Sequence, residues 1–157
     1  LAFALSLVVV FSGINSGYNT GIDILYSGTV GAAMEALANG IRSFAFSNKN
    51  DTSWETADAY LISIVKELLD ENLSMDRIWN VNFPGCALSE CKGILRDRIP
   101  AKHQFYQDDY HADGSFSLRS KGIMTEKAEE GTDISALLNN FISIGVVRCA
   151  ALGYQKD

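Results

Sequence analysis

Between Ser12 and Glu35 the chain reads SGINSGYNTGIDILYSGTVGAAME, a stretch dense in uncharged polar groups. Asn15 and Asn19 offer amide oxygens and nitrogens, and Ser27 and Thr29 offer hydroxyls. Gly13, Gly17 and Gly21 permit close approaches that a Cβ would block. Ser27-Gly28-Thr29 stands directly before a run of small residues suited to a helix. The first N–H groups of such a helix lack intrahelical partners and carry partial positive charge. Hydroxyls and N–H groups converging at one helix start suit a phosphate. The dinucleotide fingerprint GxGxxG is absent, because the three glycines fall at four-residue steps, and the lysine of the phosphate loop GxxxxGK[ST] is missing. From spacing alone a second reading stands beside this one: Gly- and Asn-rich loops often only join elements, and Ser27 or Thr29 would serve as an ordinary helix cap.

Ligands of open α/β sheets sit beyond the carboxyl ends of strands, so a buried strand must precede this loop. Leu7 to Phe11, rich in β-branched residues and running into Ser12-Gly13, reads as a strand buried on both faces of a parallel sheet. A helix over Val30 to Ala38, stopped by Gly40, and a strand over Ile41 to Phe46 complete a βαβ unit. Thr52 and Glu55 have capping-box spacing, and Ala57, Tyr60, Leu61, Ile64, Val65, Leu68 and Leu69 form the apolar face of a helix. Arg77 to Phe83 is a further strand, stopped by Pro84-Gly85. Lys92 to Gly122 loses helical periodicity and carries Pro100, a turn at Ala112-Asp113-Gly114 and short β-friendly runs. Rich in charge and poor in aliphatics, it reads as an extended hairpin arm that packs on another chain or stands in solvent. A short helix over Ile134 to Leu138, capped by Thr132 or Asp133, and a strand over Phe141 to Val147 close the chain. The expectation is one α/β domain over residues 1–157: a core region over residues 1–91, the arm over 92–122, and a segment over 123–157 returning to the core.

The 157 residues carry 13 Lys and Arg against 19 Asp and Glu, a net charge of −6, which disfavours polymeric nucleic acid as a partner. Three cysteines, Cys86, Cys91 and Cys149, are too few for a disulfide-built scaffold, and a cytoplasmic location is the expectation. Their spacing does not suit zinc. The opening LAFALSLVVVF lacks a basic leader and a cleavage site, and falls short of the roughly 20 apolar residues of a membrane span. A parallel strand so near Leu1 needs neighbours, so the first strands of the sheet are expected to be missing from this sequence. His103 and His111 are read as exposed or dimer-contacting arm residues, Trp54 and Trp79 as packing residues, Asp23 as a solvated loop carboxylate, and Glu35 as a partner for Arg42 or another chain.

SGIN-x-G-x-N-x-G followed by YSGTV-x-AAMEA resembles the central signature of the SurE survival-protein family. IWNVNFP over Ile78 to Pro84, Lys92-Gly93-Ile94, and EGTD over Glu130 to Asp133 continue the resemblance in order along nearly the whole chain. It implies a Rossmann-like three-layer αβα fold and a metal-dependent phosphatase that hydrolyses nucleoside 5′- and 3′-monophosphates. It implies further that Asn15 is a ligand of a divalent cation, Mg²⁺ or Mn²⁺, and that Asn19 and Ser27 are catalytic residues. Ser27, Gly28 and Thr29 are then the phosphate-binding residues, and the arm joins a homodimer or tetramer. Members of the family also carry two metal-binding aspartates in an Asp-Asp-Gly loop, followed by a serine ligand, ahead of the SGIN strand. No Asp-Asp occurs before Asn15 here; the pair Asp108-Asp109 lies in the arm. A neutral amide does not hold a hard dication alone, so these residues by themselves are expected to be inactive. Two other readings stand: a non-catalytic binding or assembly module, and a phosphatase acting on sugar phosphates or polyphosphate.

Overall fold

Val9, Val10 and Phe11 favour extended backbone, and the strand they begin does not stop at Ser12-Gly13. In the computed structural model, which describes residues 9–50, 52–107, 123–150 and 152, β1 runs Val9–Ser16. It therefore takes in Asn15, which the sequence placed in a loop. Gly13 makes this continuation feasible. Its φ is +109°, and a Cβ there would lie 2.2 Å from the Phe46 carbonyl oxygen, so only glycine lets the two strands come this close. The register with β2 (Arg42–Asn48) shifts between Ser12 and Asn15 and then resumes as Asn15 opposite Ser47.

Among the described residues five strands form one sheet in the order β1-β2-β3-β7-β4, with β3 at Arg77–Phe83, β4 at Ile94–Arg98 and β7 at Ile142–Arg148. β1, β2 and β3 are parallel; β7 runs antiparallel to β3, and β4 parallel to β7. The sheet is thus mixed rather than all parallel. β1 lies at its edge, so it is half-buried instead of buried on both faces, and Phe11 is 44% exposed. Helix α1 (Gly28–Ala38) packs Val30, Ala33 and Leu37 against Ala45 and Ile78 on one face. Helix α2 (Glu55–Asp70) packs Ala57, Ile64 and Leu68 against Phe44, Phe46, Trp79 and Val81 on the other. Each large side chain so buried contributes about 2–3 kcal/mol. The result is the expected three-layer α/β arrangement, and the short α3 (Asp133–Leu138) precedes β7.

Several local expectations are corrected. Thr52 and Glu55 form no capping box: the Thr52 hydroxyl donates to the Lys49 carbonyl at 2.9 Å, and Glu55 Oε2 accepts from the Leu88 N–H at 3.1 Å. Trp54 occupies the N-cap of α2 and is 40% exposed, so only Trp79 is a packing residue. Arg42 ignores Glu35 and instead donates to the carbonyls of Leu69 (2.7 Å), Leu68 (2.8 Å) and Glu71 at the end of α2, where a cation meets the negative helix terminus. Glu35 accepts from Asn39 Nδ2 at 3.2 Å.

The arm is also redrawn. Ile94–Arg98 belongs to the main sheet, and its Arg96 pairs with Glu67 at 2.5 Å and Glu71 at 2.8 Å on α2. The described portion of the hairpin is the two-residue ribbon of β5 (Tyr106–Gln107) and β6 (Ile123–Met124). Asp108-Asp109, His111, the turn at 112–114 and the run 115–118 lie outside the described residues, as do Leu7 and Val8. Among the described residues no helix is long and apolar enough to cross a membrane.

Candidate phosphate site

The carboxyl ends of the three parallel strands are polar where the middle of the sheet is aromatic. Asn15, Ser47, Asn82 and Ser143 stand opposite one another in a row across β1, β2, β3 and β7, and Asn80 lies two residues back on β3. Ser47, Asn80, Asn82 and Ser143 are all buried, so each needs a hydrogen-bond partner. After β1 the chain turns through Gly17 and lays Asn19 over this row. The Asn19 N–H donates to Asn82 Oδ1 at 2.8 Å and to Ser47 Oγ at 3.3 Å, and its carbonyl accepts from Asn80 Nδ2 at 2.8 Å and Asn82 Nδ2 at 3.2 Å. The Ser47 hydroxyl also donates to Asn82 Oδ1 through a short hydrogen bond.

The Asn19 side chain, 2% exposed as a residue, then joins the two other polar groups singled out in the sequence. Its Nδ2 donates to Asn15 Oδ1 at 3.0 Å, and its Oδ1 accepts from the Ser27 hydroxyl at 2.7 Å. Ser27 Oγ in turn accepts from the Val30 N–H at 3.1 Å and so caps α1. Asn15, Asn19 and Ser27 are therefore one hydrogen-bonded chain leading to a helix start. Ser27 is thus a helix cap whose one hydroxyl proton is given to Asn19, so it orients Asn19 and does not offer a free donor of its own. Val30 and Gly31 donate to Ser27, which leaves the N–H groups of Gly28 and Thr29 without intrahelical partners. Gly28 is exposed, Thr29 is half-buried, and the first turn of α1 contains no acid.

Behind this chain the loop is tied down by two carboxylates. Asp133 is buried, and its oxygens accept from the N–H groups of Gly21 (2.9 Å), Ala101 (2.9 Å) and Ile134 (2.8 Å). Burial pushes its carboxyl above the ordinary aspartate range, with these backbone donors opposing the shift. Gly21 sits at φ +50°, where a Cβ would lie 2.2 Å from the His103 carbonyl oxygen. Asp23 is not a solvated carboxylate: Oδ2 accepts from the N–H groups of Phe105 at 2.8 Å and Tyr106 at 3.1 Å. Tyr18 donates its hydroxyl to the Pro84 carbonyl at 2.8 Å, and burial pushes its phenol far above the usual range, with Tyr106 and Cys86 adding to the effect. His103 lies behind the loop and bonds its neighbour's carbonyl through Nδ1, at 3.1 Å from Gln104 O.

Residues 2–105 match the family model described as Survival protein SurE. The chain belongs to the SurE family. It is 32% identical over 153 residues to a 5′-nucleotidase SurE of Afipia carboxidovorans, covering 89% of this chain and 59% of the relative. It is 34% identical over 148 residues to a 5′-nucleotidase SurE of Rhodopseudomonas palustris strain BisA53, covering 87% and 58%. The crystal structure of the SurE protein from Aquifex aeolicus superposes with a TM-score of 0.74 at 34% identity, over 94% of this chain and 62% of that one. The chain thus spans about three fifths of the length of the relatives it matches.

In this SurE chain the described residues do not compose a divalent-cation site. Asn15 supplies one neutral oxygen, already hydrogen-bonded to Asn19, and among the described residues no group of three or more His, Cys, Asp or Glu could hold a metal ion. Sequence reasoning missed Asn82, Asn80 and Ser47. The signal was present in RIWNVNF: two asparagines two apart in a strand share a face, and in an otherwise apolar run they must be buried with partners.

Proposed function

We propose that this chain holds the phosphate of nucleoside 5′- and 3′-monophosphates for hydrolysis to nucleoside and phosphate. The observation that carries this reading is the Asn15–Asn19–Ser27 chain ending at a helix start with two uncommitted N–H groups and no acidic side chain in its first turn. A phosphate dianion placed there meets the Gly28 and Thr29 N–H groups, the Thr29 hydroxyl and the positive end of α1. Asn19 Nδ2 has a second proton to donate, since an amide nitrogen carries two and only one is engaged by Asn15. These donors are fixed before the ligand arrives, which favours charge that grows on the phosphoryl oxygens as the ester bond breaks. Dependence on Mg²⁺ or Mn²⁺ belongs to the same proposal. The described residues offer such a cation one neutral donor, Asn15 Oδ1.

The test is release of inorganic phosphate from AMP, measured on this chain and on the longest product of its reading frame, with Mn²⁺ and with EDTA. Turnover that EDTA abolishes supports the reading; no turnover by either protein overturns it. The names of the SurE relatives favour a nucleotide over a sugar phosphate, and ribose 5-phosphate run in parallel checks that choice. The reading includes a cytoplasmic homodimer joined through the hairpin that begins at Tyr106–Gln107, checked by sedimentation.

A further inference from the structure

Asn19 lies past the end of β1 and has no strand beside it to pair with, yet it is 2% exposed. Its backbone polar groups must be satisfied by something other than a ladder. Asn82, fully buried on β3, does this with both ends of one amide: Oδ1 takes the Asn19 N–H at 2.8 Å and Nδ2 reaches the Asn19 carbonyl at 3.2 Å. A single contact would leave Asn19 free to rotate about it. Two contacts to one residue fix the direction of its Cα–Cβ bond, and with it where the side chain meets Asn15 and Ser27. Ser47 and Asn80 complete the clasp, Ser47 by bonding Asn82 Oδ1 and Asn80 by a second donor on the same carbonyl at 2.8 Å.

We infer that Asn82 is a positioning residue that sets the phosphate-holding geometry through the backbone of Asn19. The role of that geometry rests on the function proposed above. The position requires an amide and not merely a polar group of that size. An aspartate has the same shape but no donor when ionised, so one of its oxygens would face the Asn19 carbonyl, and the buried charge would have no cation beside it.

The experiment is a double-mutant cycle on AMP hydrolysis by the longest product of the reading frame, with Asn82→Asp, Asn19→Ala and the pair, alongside amide hydrogen exchange at Asn19. Asn82→Asp is expected to lower kcat about 100-fold, comparable to loss of one fixed donor, while KM changes by less than about threefold. In the Asn19→Ala background the same change should cost less than about threefold, because the group it acts through is gone. A full additional loss in that background overturns the inference, since Asn82 would then act through general stability. If the unaltered protein hydrolyses nothing, the proposed function fails and hydrogen exchange decides the inference alone. Faster exchange at Asn19 with β2 and β3 amides unchanged supports it; unchanged exchange at Asn19 overturns it. Asn82→Ser, smaller and uncharged, carries the same comparisons if aspartate there prevents folding.

Discussion

Ser27 at the start of α1 and Thr132 at the start of α3 use the same cap: each hydroxyl oxygen accepts from the N–H three residues on, Val30 at 3.1 Å and Ser135 at 3.2 Å. They differ in the residues next along the chain. Behind Thr132 comes Asp133, whose carboxylate takes the Ile134 N–H of its own helix and two N–H groups from distant loops. Behind Ser27 come Gly28 and Thr29, with no acid in the first turn, and Ser27 itself reaches sideways to Asn19. One terminus supplies its own anion and becomes a knot in the core. The other is left open, and under the proposed function it takes its anion from outside. A shared local motif thus says little about use until the next residue is read with it.

The largest effect is expected at the knot. Asp133→Ala should cost about 3 kcal/mol or more in urea unfolding, because three buried backbone donors lose their acceptor at once; a loss under about 1 kcal/mol would mean that the two helix starts differ less than the geometry says. Next, placing an acid where the open terminus lacks one, Thr29→Asp, should weaken inorganic phosphate binding at least tenfold by calorimetry, about 1.4 kcal/mol, while leaving α1 as stable or slightly more so. Ser27→Ala and Thr132→Ala should each lower stability by about 1 kcal/mol as lost caps, and only the Ser27 variant should also lose phosphate affinity.

The smallest effect concerns pH. Because burial raises the folded-state pKa of Asp133, the folded protein binds its proton more tightly than the unfolded chain does. Its contribution to stability is therefore greatest below the ordinary aspartate value near pH 4, falls as pH rises through the raised value, and is flat above it. The difference in urea midpoint between the unaltered protein and Asp133→Asn, followed across that range, should decline with pH; a rise would reverse the sign of the shift.

Much of this was legible in the sequence where one force dominates. Arg77 to Phe83 is a strand over the expected residues, since an apolar β-rich run between turn formers has few alternatives. The hydroxyl before α3 caps it as expected. Asn15 and Asn19 do converge with Ser27. What escaped was decided by partners distant in sequence. Ile94–Arg98 is too charged to read as a sheet strand until Glu67 and Glu71 of α2 are placed over Arg96. Asp23 looks solvated until the backbone of Phe105 and Tyr106 folds onto it. Gly13 reads as a strand stop, yet it is the residue that lets the strand go on past the Phe46 carbonyl.

The groups gathered around the open terminus, Asn15, Asn19, Ser27, Gly28 and Thr29, have no ionisable side chain among them. Such a cradle keeps its charge from mildly acidic to mildly alkaline solution. A phosphate monoester loses its second proton near pH 6. Acidity would then be sensed by the guest and not by its host, and the affinity curve for a ligand seated there should trace the guest's own titration.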